Sequence, residues 1–485
     1  MGIEKTAYIV SFCRGPTLAV VILLALLFAA CRQFHELRSG FSAGSPTTPF
    51  NDYERGDPAI EMPDIITLAD AKRLALQTNP TVAAARQRAA AAAARWRQAA
   101  AAYYPQLTAA FTATHQHDQS PDQTFGLVGG ATETYVPTLT ANWLLFDGFV
   151  REFDMLAARF DVEAAAAAHD DARRLLLRSV ARAYSAARLA QNEIEINDAD
   201  RDFNQYFYDE TEKKRVRGMA SRSDALNFKI RLENARIRSL DSSRDYRLAI
   251  LVLAELLGMP AVGVVQTPDL KPESVGTSLE LAGLGTLLDT AWVTRTDLQE
   301  MKAGLNRAKA ELGAAAGARF PQLFLTGDIG TFSRDEFRAE RDNRTSSFGI
   351  IANWDVFTGG AKAATVKAAR ADYAATLEDL NRLWDAIVGE IRQQLEIVRT
   401  AWEKLRIQRE ITAMTHGIRS DVEKEYKAGQ ASLTRLNEVQ RDLLIARERL
   451  ARNRAEYLQS REDLAAATGE ILAPYLQPAP HKLTR

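Results

Sequence analysis

Two histidines two residues apart, His115 and His117, are the first side chains whose type and spacing suggest chemistry. In an extended strand they share a face, where paired imidazoles can begin a metal site. No nearby cysteine or acidic pair completes the ligand set, so they read as polar residues at a strand end beside an exposed loop. His169 and His416 are isolated within helical sequence and read as solvated. The only cysteines are Cys13 and Cys31, which leaves the body of the chain without a disulfide or thiol chemistry. There is no glycine-rich phosphate loop, nucleophile elbow or zinc-type spacing. The remaining acidic residues read as polar faces of coiled helices. No catalytic, metal or cofactor-binding constellation is expected, and function must lie in what the elements build.

The chain has 485 residues, 25% of them charged, and a net charge of -1, which does not suggest a nucleic-acid partner. Lys5 and Arg14 precede an apolar run from Thr17 to Ala30, followed at once by Cys31. A basic start, a short apolar core and small residues before a cut site predict a secretory signal over residues 1–31. Cys31 after Ala29-Ala30 also resembles a bacterial lipoprotein processing site, with Phe28 in place of the usual leucine. It is therefore a candidate lipidation site. Residues 32–64 carry Gly, Ser and Pro without periodicity and read as an extended segment.

One short stretch organises the rest. Trp143-Leu144-Leu145-Phe146-Asp147-Gly148 returns as Trp354-Asp355-Val356-Phe357-Thr358-Gly359. Each copy ends a strand-like run and opens a proline-free run of about 70 residues, reaching Gly218 and Gly429. As one helix at about 1.5 Å per residue, each run would be about 105 Å long. Trp143 with Trp354, Gly218 with Gly429 and Gly258 with Gly469 all lie 211 residues apart, so the chain reads as a tandem duplication. In the second arm, Leu377, Leu380, Trp384, Ile387, Ile391, Leu395, Val398, Trp402 and Leu405 average 3.5 residues apart, the heptad spacing of a coiled coil.

The first repeat spans 65–260: a helix from Thr67 to about Ala102 with a kink at Pro80, a strand pair over 106–146, the long helix, then a helix over 224–257. Residues 261–282 read as a linker. The second repeat spans 283–470, with one helix over 283–318 and a strand pair over 322–357, and 471–485 form a tail. Asp118, Pro121, Asp122 and Gly126 to Gly130 predict a long exposed loop between the first two strands.

Leu107, Ala109, Phe111 and Ala113 alternate with Thr108, Ala110, Thr112 and Thr114, giving one face for lipid and one for water. Trp143, Phe146, Trp354 and Phe357 end such runs, where aromatic residues favour membrane interfaces. Four strands are too few to close a barrel, and open edges are not tolerated in lipid. Copies of the chain must supply the rest, eight strands from a dimer or twelve from a trimer.

The order helix, strand, strand, long helix, helix, given twice, resembles the TolC family of bacterial outer-membrane efflux proteins. The matching residues are Leu76-Gln77-Thr78-Asn79-Pro80, Tyr104-Pro105-Gln106-Leu107, Trp143 to Gly148, Trp354 to Gly360, and Gly429-Gln430-Ala431-Ser432. The resemblance implies a mainly α fold: a homotrimer with a long coiled-coil helical tunnel in the periplasm and a 12-stranded β-barrel held in outer-membrane lipid. It implies a passive conduit for efflux or type I secretion, docked through the tips at Gly218 and Gly429 onto a periplasmic adaptor and an inner-membrane pump. In the family, acidic residues six and nine positions after the second tip glycine often line the closed entrance. Here those positions are Arg435 and Glu438, and in the first repeat Asp224 and Asn227. Glu438 matches and Arg435 departs, and with Asp224 they are the candidate gate. The rival reading is a periplasmic coiled-coil adaptor without a pore; an adaptor would carry one hairpin and no duplicated strand pairs.

Overall fold

The structure, a computed structural model, describes residues 64–122, 126–259, 268–272, 274–276, 278–334 and 343–475. The signal segment, Cys31, nearly all of the extended segment and the tail from 476 lie outside the described residues. The elements in chain order are β1 (Ile65–Ile66), α1 (Leu68–Thr78), α2 (Pro80–Ala100), β2 (Gln106–Asp122) and β3 (Gly126–Phe146). Then come α3 (Val150–Val216), α4 (Arg222–Leu256), β4 (Asp269–Leu270), α5 (Leu284–Thr294) and α6 (Thr296–Gly317). Last are β5 (Gln322–Thr331), β6 (Ser333–Arg334), β7 (Arg344–Asn353), α7 (Ala361–Lys427) and α8 (Leu433–Thr468). They fall into two compact units, one holding residues 101–151 and 317–360, the other the helices.

The first unit is an antiparallel sheet in the order β2-β3-β5-β7, with β6 added to β3. The expected loop between the first two strands is mostly ladder: Asp118 pairs with Gly130 and Asp122 with Gly126. Loop-type side chains do not prevent pairing, because the ladder is made by backbone groups, and Pro121 is tolerated on an edge strand. The second pair differs in the other direction. β7 stops at Asn353, so Trp354 to Phe357 follow the strand. Among the described residues its partner strand begins at Gln322, opposite Asn353, and offers no ladder beyond that point.

The junction repeats in detail. The Trp143 indole N–H donates to the Tyr103 carbonyl at 2.9 Å, and the Trp354 indole to Arg319 at 3.1 Å. Gly148 and Phe149 both have positive φ, as do Gly359 and Gly360. Phe149 thus holds a left-handed conformation that costs an L-residue about 1–2 kcal/mol, where the second repeat uses glycine. Gly148 also abuts the Gly317 carbonyl, and a Cβ there would collide with it. Nothing crowds Gly359 or Gly360, so their role is conformational.

The second unit is built on the two 67-residue helices α3 and α7, each about 100 Å long at helical rise. Leu380, Ile387, Ile391, Leu395, Val398, Trp402 and Leu405 of the heptad run are buried, while Leu377 is exposed. The α1–α2 break falls at Asn79, before Pro80. The helix expected over 283–318 is also broken, at Arg295, where no proline marks it. The cause is tertiary and shared. Thr78 Oγ1 donates to the Leu257 carbonyl and Asn79 Nδ2 to Leu256; Thr294 Oγ1 donates to Thr468 and Arg295 Nη1 to Ala467. Each break therefore caps the C-terminus of the returning helix, whose last carbonyls lack partners. Gly258 and Gly469 turn those helices at positive φ, and neither has room for a Cβ.

Part of the linker is a strap. β1 and β4 pair in parallel, Ile66 opposite Leu270, and both side chains are buried. The Tyr184 hydroxyl lies 3.0 Å from the Ile66 carbonyl and 2.9 Å from that of Lys271, bridging the two strands. The Tyr246 hydroxyl donates to the Pro268 carbonyl. Burial pushes its pKa up to about 12, so it remains a donor at any ordinary pH. The tail expected from 471 begins with a short 3-10 turn over Glu470–Tyr475, with Ile471 and Leu472 buried against Leu177.

Candidate functional site

Register sorts the sheet into two faces. On one, Phe111 pairs with Pro137, Ala109 with Leu139 and Leu139 with Ile329, while Leu325 pairs with Trp143 and Ile350. On the other, Thr108 pairs with Thr140, which pairs with Asp328, which pairs with Ser347. Leu107, Phe111, Leu139, Ile329, Phe348 and Ile350 are all exposed. The apolar face thus lies open, opposite a face of mainly threonine, asparagine, serine and one aspartate that ends in the apolar row Leu144, Phe324 and Ile351. Among the described residues both outer strands, β2 and β7, have one unpaired edge.

Of the interface aromatics, Trp143 and Trp354 are exposed apart from their bonded indole N–H. Phe357 is 88% exposed, and Phe146 is half-buried against the edge of Phe149 at 5.7 Å. The His115 Nδ1 lies 3.5 Å from a Glu133 oxygen on the neighbouring strand; the side chain of His117 is outside what is described. Among the described residues no cluster of three His, Cys, Asp or Glu could hold a metal ion. No described helix is long and apolar enough to cross a membrane.

At the hairpin tips the two repeats close identically. The Gly218 N–H donates to Arg215 and Met219 N–H to Lys214; Gly429 donates to Tyr426 and Gln430 to Glu425. Those paired bonds, around a glycine in the left-handed region, end a helix and reverse it. Three residues on, the Ser221 hydroxyl accepts from the Asp224 N–H at 3.0 Å and the Ser432 hydroxyl from the Arg435 N–H at 3.2 Å, capping α4 and α8.

The candidate gate residues lie in the first turns of those helices. Arg435 Nη1 stands 2.8 Å from Glu438 Oε2 with both side chains exposed, so the structure brings these two together. Asp224 is separate and half-buried. It acts on Tyr426: burial first, and then the Asp224 charge, hold that phenol above its usual value. Sequence reasoning missed the apolar plug beside the tips, where Phe203, Phe207 and Phe228 pack with Val422, Leu436 and Val439. Phe207 stacks on Phe228 at 5.7 Å and meets the edge of Tyr426 at 5.8 Å, joining the first hairpin to the second. The i, i+4 spacing of Phe203 and Phe207 was the available signal.

Ionic contacts set the order of the long helices. Asp200 of α3 accepts from Arg238 of α4 at 2.6 Å and from Gln440 of α8 at 2.9 Å. Higher up, Asp463 of α8 accepts from Arg178 of α3 at 2.7 Å and from Arg182 at 3.0 Å. Gln408 of α7 donates to the Ala446 carbonyl of α8, and Arg419 of α7 to Gln440. α3 therefore lies beside α4 and α8, and α7 lies beside α8 and also meets α3, through Arg419 over the Phe203 ring at 4.9 Å and Tyr426 against Phe207 at 5.8 Å.

Comparison with known proteins agrees with this architecture. The chain matches the family described as "Outer membrane efflux protein" twice, over residues 72–259 and 287–470. It is 26% identical to Nodulation protein T of Rhizobium leguminosarum bv. trifolii over 377 residues, 76% of this chain and 77% of that protein. It is 25% identical to Protein CyaE of Bordetella pertussis over 421 residues, 85% and 86% of the two chains. The fold is similar to that of the Campylobacter jejuni CmeC outer membrane channel, with a TM-score of 0.73 at 16% identity, covering 83% of this chain and 85% of that one. With the family matched over more than half its length, the chain belongs to the outer membrane efflux proteins.

Proposed function

We propose that the chain is the outer-membrane conduit of a tripartite efflux or type I secretion system. It works as a homotrimer with a periplasmic adaptor and an inner-membrane pump. One observation carries the reading: among the described residues, a row of four strands, β2-β3-β5-β7, with one apolar face, one mainly polar face and two unpaired edges. Lipid tolerates no open edge, and a barrel of four strands does not close. Three copies supply twelve strands, with Leu139 and Phe111 towards lipid and Thr108 and Thr140 lining a water-filled pore. Trp143, Phe146, Trp354 and Phe357 lie at the periplasmic headgroups. Substrate is moved by the energised pump, and the conduit contributes no covalent chemistry.

The tips at Gly218 and Gly429 are the docking end, and Arg435, Glu438 and Asp224 are the entrance. In a trimer, an acidic ring alone would attract cations and repel itself. The Arg435–Glu438 pair makes this ring nearly neutral, which favours a closed resting state. Recordings in planar bilayers test the reading. Purified protein should open pores, and Glu438→Gln, which leaves Arg435 uncompensated, should lower their preference for cations. Pores with unchanged selectivity would remove Glu438 from the constriction, and protein without conductance would remove the conduit.

A further inference from the structure

We propose that a cleft between α3 and α8, beside the strap, is a binding site for a small monatomic anion of the chloride class. The site is built within one chain, so it goes beyond the conduit reading and does not depend on how many copies assemble. Asp463 ties α3 to α8 at one level, through Arg178, and Asp200 ties them at another, through Gln440. The cleft opens between these two ties. On the α3 side, Ser185, Arg188 and Asn192 share one helix face. On the α8 side, Ala451, Arg454 and Ala455 do the same. Pro272, two residues past β4, brings the linker to its rim. Ser185, Ala451 and Ala455 are too short to fill the space between two packed helices, so a gap remains where larger side chains would have closed it.

The charged side chains that line this gap are two arginines, one from each helix, and no carboxylate lines it. A guanidinium stays charged at any pH the protein meets. Two of them at one cleft repel each other unless a counter-charge lies between. Arg188 carries the decisive atom, since its Nε is buried and has no hydrogen-bond partner. Its Nη1 lies 3.6 Å from Glu195, a carboxylate that is 65% exposed, so that pair is beyond hydrogen-bond length and weakened by water. The Asp269 carboxylate on the strap accepts from Gln191 at 2.5 Å.

A buried donor without an acceptor is costly, and a charged donor more so. Folded proteins satisfy such atoms with a water or an ion. Charge decides between the two here. A water accepts from Nε but leaves both arginines uncompensated, whereas an anion accepts from Nε and offsets the charge. Ser185 and Asn192 add a hydroxyl and an amide that can also donate to it. Size decides which anion. The inner part of the cleft holds about 20 Å³, room for one water-sized group. Chloride has that size, and oxyanions and organic carboxylates do not. The bound ion joins Arg188 of the first repeat to Arg454 of the second, a third fastening between the ties at Asp463 and Asp200.

The full chain in detergent tests the site. Chloride exchanged for gluconate at fixed ionic strength should raise the thermal unfolding midpoint of the wild type with the logarithm of chloride concentration, because the site exists only in the folded chain. Arg188→Gln and Arg454→Gln should each lose most of that rise. Arg244→Gln, at an exposed α4 arginine paired with Asp241, should keep it. Crystals soaked in bromide should show an anomalous peak in the cleft of every chain. A wild-type midpoint indifferent to chloride, or a rise that Arg188→Gln retains in full, overturns the site. Bromide in the cleft without any effect of chloride on the midpoint is an adventitious ion only, and overturns it too. Should the glutamine variants fail to fold, the wild-type titration and the bromide peak decide together, and the absence of either overturns the site.

Discussion

Leu139→Arg is expected to leave the protein almost absent from the outer membrane, while Thr140→Arg, one residue away, assembles normally. The two side chains point to opposite faces of β3, because successive residues alternate across a strand. Leu139 sits between Ala109 and Ile329 at the middle of the apolar face and is exposed in the single chain. Thr140 sits between Thr108 and Asp328 on the polar face. An arginine facing lipid at mid-depth costs about 2–4 kcal/mol, and a trimer carries it three times. The sum is comparable with the about 5–15 kcal/mol that holds a typical protein folded. At Thr140 the guanidinium enters water and should alter conductance only. Immunoblots of fractionated membranes measure both variants. Equal yields would mean that the apolar face does not meet lipid.

The second large effect is expected at Arg295. Its side chain is 7% exposed and meets four oxygens of three residues: Asp297 Oδ1 at 2.9 Å, Asp297 Oδ2 at 3.1 Å, Glu390 Oε2 at 2.8 Å and the Ala467 carbonyl at 2.6 Å. Burial works against its charge, but the Asp297 and Glu390 carboxylates outweigh it and hold the guanidinium above even its usual value. Around it, Arg174 reaches Asp171 at 2.8 Å and Arg178 reaches Glu390 at 3.4 Å. Five helices thus meet at one charge network. Arg295→Ala leaves Glu390 with Arg178 alone at 3.4 Å and Asp297 with Arg174 at 3.7 Å, and it uncovers the end of α8; the cost should fall near about 3 kcal/mol, the low end for breaking a buried pair. A lysine has no planar fork, so Arg295→Lys should recover only part. Thermal unfolding in detergent should show the alanine variant melting well below wild type; an unchanged midpoint would make the network incidental.

How much of this was legible depends on which contacts are local. The tips were readable because glycine at the reversal and serine three residues later are set by the backbone. The Trp-to-Gly junction was readable because it occurs twice. The break at Arg295 was not, because arginine is a good helix former and the chain leaves helix there only to reach Ala467, 172 residues away. The long first hairpin was hidden for the opposite reason: Gly126, Gly129 and Gly130 are turn-forming types that here pair as strand. Pairing of Arg435 with Glu438 was within reach, being a three-residue helical spacing. The link between Asp224 and Tyr426 joins the two repeats and has no local signature.

The central claim is that the sheet is not complete in one chain. Native mass measurement of the protein extracted from outer membranes in mild detergent tests it most directly. The account predicts a particle of three chains that falls apart only on denaturation. A particle of one chain, stable in buffer once the detergent is removed, would contradict it.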